Sequence, residues 1–242
     1  MGLLIQPDLD PLRTSSVANS ADGDETVPLV APRVLAQAEL VFWDFDGVIK
    51  ESVGVKTEGF MWLVRDAGQD VVDRVRAHHE ANGGMSRFEK IPMYLAWAGQ
   101  SADEDAVRVA CNEFSQTVYQ MVIDAPWVPG VREYLMENPH DQVFVLVSAT
   151  PDTEVKSIVA DLGLRHCFVS VHGSPVGKAE VISTMLESGR WTANQAIVVG
   201  DSHTDWQAAE VNGVPFLLRK NGLDCRIVMD HSGPSFGDLI HG

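Results

Sequence analysis

The chain has 242 residues, with 34 acidic and 18 basic side chains and a formal net charge of -16. This charge argues against nucleic acid and anionic membranes as partners, because the protein as a whole repels phosphate groups. No apolar run approaches the ~20 residues that a membrane-spanning helix needs. The three cysteines are widely spaced, so neither a disulfide framework nor a thiolate metal site is expected, and the composition favours a cytoplasmic protein.

Residues 1–38 show no sustained hydrophobic period. They contain four prolines, scattered acids and small polar residues. Such a composition is typical of a flexible or loosely packed extension. We expect no chemistry from this segment.

Five short apolar runs then follow, each typical of a buried strand. They lie at 40–45, 143–147, 167–171, 196–199 and 214–218. Helical stretches separate the later runs. The alternation predicts an α/β fold, with a Rossmann-like parallel sheet and helices on both faces. We expect this core domain to comprise residues 39–50 and 127–242.

The interval 51–126 interrupts the core with helical signals and no convincing strand. Ser86 and Glu89 have the spacing of a capping box at the start of one helix, and Ser101 and Glu104 have it at the start of another. The sequence therefore predicts an inserted helical domain directly after the first strand.

The first apolar run ends in a carboxylate pair, Asp44 and Asp46. In open α/β sheets, ligands and reactive groups gather at the carboxyl ends of the strands. Two solvated loop carboxylates would give the same pattern, so the pair needs support from the rest of the chain.

Further polar signatures follow the later runs. Ser148 ends the second run, where its hydroxyl could donate to a phosphoryl oxygen, while Thr150, followed by a proline, favours a helix N-cap. Lys178 falls at the predicted start of a helix, where a lysine opposes the macrodipole and so indicates a nearby anion. Asp201 and Asp205 follow the fourth run. They could share a magnesium ion with Asp44, because this hard cation prefers oxygen ligands.

The chain therefore has four polar signatures in order: Asp44 with Asp46, Ser148, Lys178, and Asp201 with Asp205. Their order and residue types resemble those of the haloacid dehalogenase superfamily of phosphohydrolases. The resemblance covers about residues 39–219. The insertion lies between the first and second signatures, which is similar to the small helical cap subclass of phosphoglycolate phosphatase-like and β-phosphoglucomutase-like members.

The resemblance implies a magnesium-dependent phosphatase that acts on a small phosphorylated metabolite, either a sugar phosphate or an organic acid phosphate. Asp44 would be the nucleophile that forms an aspartyl-phosphate, and Asp46 would be the general acid and base. The remaining implied ligands are Ser148, Ala149 and Lys178 for the phosphoryl oxygens, and Asp44, the Asp46 backbone carbonyl, Asp201 and Asp205 (through a water) for Mg²⁺.

The insertion supplies candidate specificity residues. Segment 82–90 contains two glycines that allow unusual backbone angles. Arg87 and Lys90 within it could bind a carboxylate, a hydroxyl or a second phosphate of the leaving group. Ser86 and Lys56 complete the set. Capping and solvation are the alternative roles for these side chains.

Two other functions remain open at this point. One is a phosphomutase of the same fold, and the other is a catalytically silent binding protein. Dehalogenation is disfavoured, because true 2-haloacid dehalogenases lack the second aspartate, which is present here as Asp46. The sequence leaves the oligomeric state open between monomer and homodimer.

Overall fold

A computed structural model describes residues 28–221 and 231–242, so residues 1–27 of the predicted extension 1–38 lie outside the described residues. Parallel strands form one sheet in the order β3-β2-β1-β4-β5-β6. The strands are β1 Leu40–Trp43, β2 Val143–Pro151, β3 Ser170–Ser174, β4 Ala196–Gly200, β5 Phe216–Arg219 and β6 Ser235–Phe236. The helices are α1 Arg33–Ala36, α2 Val53–Leu63, α3 Gln69–Ala81, α4 Arg87–Trp97, α5 Glu104–Asp124, α6 Val131–Glu137, α7 Asp152–Asp161, α8 Lys178–Glu187 and α9 His203–Val211.

The sheet confirms the predicted α/β fold. Strand β1 pairs with β2 on one side and with β4 on the other, so the strand order reverses beside it, and such a switch point forms a ligand crevice. Every residue of β1 is buried. Trp43 and Phe42 belong to two different hydrophobic clusters, one on each face of the sheet.

Several strand limits differ from the apolar runs. Strand β2 continues to Pro151, and β3 begins only at Ser170, because Arg165–Cys167 forms a 3₁₀ turn. Strand β3 has mostly small and polar residues, so the apolar run at 167–171 overlaps only its first two residues and does not give its bounds. The two-residue strand Ser235–Phe236 is too short for any period and had no predicted counterpart.

The predicted helical insertion is present between β1 and β2. It consists of α2 to α5, and residues 51–126 contain no strand. Phe60 of α2 and Phe114 of α5 stack at its centre, with ring centroids 4.2 Å apart. None of the helices in the described parts of the chain combines the length and apolar content required to cross a bilayer.

The two predicted capping boxes are only partly correct. Ser86 is the N-cap of α4 and accepts from the Phe88 backbone N at 3.4 Å. Helix α5, however, is capped by Asp103, whose side chain accepts from the Ala106 backbone N at 2.9 Å. Ser101 donates to Asp103 at 2.7 Å instead. A carboxylate two residues nearer the helix therefore takes the capping role predicted for Ser101.

The described part of the N-terminal segment packs on the core. Residues 28–38 include the short helix Arg33–Ala36, and Leu35 within it is fully buried. The buried amide of Gln142 donates to the backbone carbonyls of Leu35 and Ala38, at 2.7 and 2.6 Å. This stretch therefore differs from the expected loose extension, because burial of one leucine and two hydrogen bonds anchor it.

Candidate active site

The predicted polar residues meet at the carboxyl end of the sheet. Asp44 follows β1, Ser148 lies in β2, Asp201 follows β4, and Lys178 begins the helix after β3. The Asp44 backbone N donates to the Val199 carbonyl at 3.0 Å. This bond extends the β1–β4 pairing by one residue and fixes the backbone of Asp44.

Three buried carboxylates, from Asp44, Asp201 and Asp205, have oxygens within 4.8 Å of one another. Lys178 Nζ lies 2.8 Å from Asp44 Oδ1 and 2.5 Å from Asp205 Oδ1. Burial and the charge of Asp205 raise the pKa of Asp44 to about 7. Burial and the charge of Asp44 likewise raise the pKa of Asp201. Burial would lower the pKa of Lys178, but the two carboxylates outweigh burial and raise it.

This cluster has the chemistry of a magnesium site. Carboxylate oxygens are the preferred ligands of Mg²⁺, and a divalent cation relieves the repulsion that raises the pKa values. Outer contacts orient two of the carboxylates. Asn221 Nδ2 donates to Asp201 Oδ2 at 2.7 Å. Ser202 donates to Asp205 Oδ2 from Oγ at 2.5 Å and from its backbone N at 3.1 Å, so Asp205 caps α9 with one oxygen and faces Lys178 with the other.

Asp46 does not join the three-carboxylate cluster of the described residues. Its Oδ1 accepts from Ser52 Oγ at 2.6 Å, and its Oδ2 accepts from Lys56 Nζ and, at 3.2 Å, from Thr150 Oγ1. Burial would raise the pKa of Asp46, but the Lys56 charge and these hydrogen bonds outweigh burial and lower it. The structure thus places Lys56, a predicted specificity residue, directly against the predicted acid and base.

Thr150 departs from its predicted role as a helix cap. Helix α7 begins at Asp152 with Pro151 at the N-cap position and no side-chain cap. Because β2 continues to Pro151, the Thr150 hydroxyl lies at the site, where it contacts Asp46 and accepts from Lys56 Nζ at 2.6 Å. The capping prediction was wrong because the strand extends beyond its apolar run.

The predicted phosphate-binding residues line one groove between the insertion and the core. Ser148, Ala149 and Lys178 all border it, together with Ser86. Ser86 Oγ donates to Ser174 Oγ at 3.2 Å. Ser86 therefore contacts the core beside the phosphate-binding residues as well as capping α4.

The loop before α4 docks tightly onto the core. A Cβ atom at Gly84 would lie 1.7 Å from Thr204 Oγ1 and 2.4 Å from Ser202 Oγ, whereas a Cβ at Gly83 would meet no atom within 4 Å. Only glycine allows this approach. The insertion is therefore closed over the residues that follow β4.

A small cavity of about 40 Å³ lies beside Asp46. Its polar lining includes Asp46, Lys56, His79, Arg87, Lys90 and Thr150. The cavity therefore adjoins the predicted proton donor and brings together three basic residues of the insertion, Lys56, Arg87 and Lys90.

Arg87 is buried and paired. Its Nη1 and Nη2 donate to the two carboxylate oxygens of Glu154 in α7, at 2.8 and 2.6 Å, and Nη1 also donates to Ser115 Oγ at 2.5 Å. Glu154 already offsets the charge of this predicted specificity residue. The ion pair joins the insertion to the core.

Lys90 is fully buried. Its Nζ donates to His79 Nδ1 at 2.8 Å and to the Gly83 carbonyl at 3.5 Å. Within residues 28–221 and 231–242, no carboxylate lies within 4 Å of this Nζ. Burial and the charge of Lys56 lower the pKa of Lys90 to about 7. The cavity thus contains an amine that lacks an anionic partner among the described residues and that is fully charged only below about pH 7.

Sequence reasoning missed some residues at this end of the sheet. Arg219 ends β5 and donates to the Gly47 carbonyl at 3.1 Å, while Asn221 contacts Asp201. Both are polar residues at or just after an apolar run, which is the signal that identified Asp44. His79 gave no such signal, because helix packing alone brings it to Lys90.

Comparisons with known proteins agree with this geometry. The family model of haloacid dehalogenase-like hydrolases matches residues 41–218. A predicted phosphoglycolate phosphatase from Haemophilus somnus is similar in structure, with 18% identity, a TM-score of 0.66, and coverage of 84% of this chain and 96% of that one. A predicted phosphatase from Clostridium acetobutylicum has 17% identity and a TM-score of 0.62, covering 81% of this chain and 91% of that one. No curated protein matches the sequence.

The fold and the site together define an α/β enzyme of the hydrolase class, with a cluster of buried carboxylates at the strand ends. The chain belongs to the haloacid dehalogenase-like hydrolase family, because the family model spans most of it.

Proposed function

We propose that this protein is a magnesium-dependent phosphatase that works through an aspartyl-phosphate on Asp44. The observation that carries the proposal is the contact of Lys178 with Asp44 inside a buried cluster of three carboxylates. Such a site combines a nucleophile, a cation for the phosphoryl oxygens and a place for a divalent ion, which are the components that phosphoryl transfer requires.

In the first step, an Asp44 carboxylate oxygen bonds to phosphorus as the bond to the leaving oxygen breaks, and protonated Asp46 gives that oxygen its proton. In the second step, Asp46 takes a proton from water, and the water oxygen attacks phosphorus and displaces Asp44, which releases phosphate. The hydrogen bonds from Ser52 and Thr150 orient Asp46. The Lys56 contact favours its carboxylate form, which suits the second step and opposes the first.

Lys178, Ser148 and the backbone at Ala149 would bind the phosphoryl oxygens throughout both steps. Asp44, Asp201 and the Asp46 backbone carbonyl would hold Mg²⁺, with Asp205 acting through a water. When bound, Mg²⁺ supplies positive charge that stabilises the transferring phosphoryl group. Closure of the insertion, held by the Arg87–Glu154 pair, excludes bulk water from the reacting atoms.

The cavity supports a small, acidic leaving group. Lys90 is fully buried and lacks a carboxylate partner within 4 Å among the described residues, and burying a lone cation is costly. A carboxylate on the substrate would offset that charge, and a cavity of about 40 Å³ has room only for a short leaving group. Of the two substrate classes the sequence left open, we therefore propose a short organic acid phosphate over a sugar phosphate.

The test is phosphate release from short acid phosphates, neutral alcohol phosphates of equal length and sugar phosphates, with and without MgCl₂. We expect the acid phosphates to be hydrolysed best, only with magnesium, and not by Asp44→Asn. The exposed carboxylate variant Asp66→Asn should match the wild type. No release from any compound, or equal release by Asp44→Asn, would refute the proposed phosphatase.

Location and assembly are part of the same proposal. Within residues 28–221 and 231–242, Cys111 and Cys167 form no disulfide with each other, and we propose the cytoplasm as the location. We propose that the enzyme acts as a monomer or a homodimer on a free small metabolite.

A further inference from the structure

Arg219 connects the end of β5 to two other segments of the chain, the turn that follows Asp44 and the backbone at Gly237. Its Nη1 donates to the Gly47 carbonyl at 3.1 Å and to Glu51 Oε2 at 3.0 Å, and its Nη2 contacts Glu51 Oε1. Its Nε donates to the Gly237 carbonyl at 3.1 Å. The Arg219 side chain is 6% exposed and that of Glu51 is 35% exposed. The bond to the Gly47 carbonyl is therefore buried, where hydrogen bonds from charged groups are strong, whereas the ion pair with Glu51 is partly open to solvent.

The turn that Arg219 contacts lies against the metal-binding carboxylates. Gly47 has a φ of +76°, and a Cβ there would lie 2.0 Å from Asp201 Oδ2. The Gly47 backbone N donates to the Lys50 carbonyl at 2.7 Å. The turn is therefore packed between Asp201 on one side and the guanidinium on the other, and it begins only three residues after Asp44.

Glu51 extends the same connection to the predicted acid and base. The residue after it, Ser52, donates to Asp46 Oδ1 at 2.6 Å. The Glu51 backbone N donates to the Pro126 carbonyl at 2.9 Å, which joins the two chain crossings between core and insertion. A displacement of Glu51 would therefore move the hydroxyl that orients Asp46.

We propose that Arg219 is a positioning residue for phosphoryl transfer. It holds the segment 44–52 so that Asp44 and Asp46 keep their places relative to Asp201. The catalytic consequence rests on the proposed phosphatase function, whereas the effect on the backbone does not. Asn221, two residues further on, donates to Asp201 at 2.7 Å. Residues at and just after the end of β5 therefore contact both the turn at Gly47 and the carboxylate packed against it.

The test compares Arg219→Gln with Gln142→Leu. Gln142 is equally buried and hydrogen-bonded, but it precedes β2 and so lies at the opposite end of the sheet. Loss of the Gln142 amide should lower the stability of the fold without moving the turn at Gly47. We expect Arg219→Gln to lower kcat for p-nitrophenyl phosphate with MgCl₂ by about tenfold or more, with KM changed by less than about twofold, because misplacement of reacting groups slows the chemical step. Gln142→Leu should keep the wild-type kcat well below its melting temperature.

Hydrogen–deuterium exchange of the peptide covering residues 44–52 separates failure of this proposal from failure of the proposed function. In Arg219→Gln, the turn amides should exchange about tenfold faster, whereas in Gln142→Leu they should exchange as in the wild type. Unchanged exchange in Arg219→Gln would overturn the positioning role whether or not the enzyme is active. Faster exchange in a protein whose wild type hydrolyses no phosphomonoester would support the effect on the turn and refute the phosphatase instead.

Discussion

Lys178 bridges Asp44 and Asp205, with its Nζ 2.8 Å from one carboxylate and 2.5 Å from the other. The three side chains are at most 10% exposed. A cation in this position stabilises two carboxylates that would otherwise repel each other, and it raises the local potential where a phosphoryl group would bind. The same ammonium group therefore supports both the fold and the proposed chemistry.

Lys178→Met should remove both contributions. We expect kcat/KM to fall by about 10²–10³, and the free energy of unfolding without magnesium to fall by about 3 kcal/mol, because the buried carboxylates lose their partner. Millimolar MgCl₂ should recover part of that stability. The control is Lys156→Met, which breaks a half-exposed pair with Asp152 and should change stability by less than about 0.5 kcal/mol. Equal effects of the two variants in urea unfolding and kinetics would contradict the prediction.

Gly84→Ala tests whether the closed insertion is the active arrangement. The added methyl group would lie 1.7 Å from Thr204 Oγ1 and 3.0 Å from Thr204 Cβ, so either the loop or the Thr204 side chain must shift, and the docking of the loop on the core is disturbed. We expect kcat/KM to fall by about tenfold or more. Gly83→Ala is the matched control, since its methyl group meets no atom within 4 Å, and it should stay within about twofold of the wild type. Steady-state kinetics that fail to separate the two variants would show that this docking does not matter for turnover.

The sequence predicted the sheet and the polar residues at its edge for a simple reason. Buried parallel strands are continuous apolar runs, and a polar residue directly after such a run must lie at the strand end. Asp44 and Asp201 each follow such a run, so the sequence pattern alone was enough to predict their position at the strand ends.

The sequence could not predict contacts that depend on how the insertion packs on the core. The sequence predicts that Arg87 is available for a ligand, but α7 brings Glu154 to it from 67 positions away in the chain. His79 and Lys90 meet only because α3 packs beside α4. Thr150 was misjudged for a different reason, since its strand continues through polar residues where the hydrophobic signal has ended.

Breaking the Arg87–Glu154 pair should lower stability mainly because the remaining partner becomes a buried charge without a counter-charge. In Arg87→Met, a carboxylate that is 9% exposed would lose its charged partner and keep the hydrogen bond from Ser115 Oγ, and we expect the free energy of unfolding to fall by about 3 kcal/mol. The double variant Arg87→Met/Glu154→Met should lose less than the single one, because no unpaired charge remains. The exposed pair of Arg108 and Asp105 provides the control, and Arg108→Met should have an effect below about 0.5 kcal/mol. A double variant less stable than the single would contradict this account.

Lys90 should make stability depend on pH. Its pKa is near 7 in the folded protein and 10.5 as its ordinary value, so between these pH values the unfolded state binds more protons and the free energy of unfolding rises with pH. Below about pH 7 both states are protonated, and the buried charge is fully unfavourable. Lys90→Met should therefore be more stable than the wild type by about 2–4 kcal/mol at about pH 6, with the difference shrinking towards about pH 10.

The same titration should affect substrate binding. An acidic leaving group is attracted only to charged Lys90, so KM for a short acid phosphate should rise in the wild type as the pH increases through about 7. KM for a neutral alcohol phosphate of equal length should lack this rise, which separates Lys90 from the groups that bind the phosphoryl oxygens. Lys90→Met should raise KM for the acid phosphate at low pH and abolish the additional rise. If both substrates show the same KM profile in both proteins, Lys90 does not bind the leaving group, and its burial would need another anion to explain it.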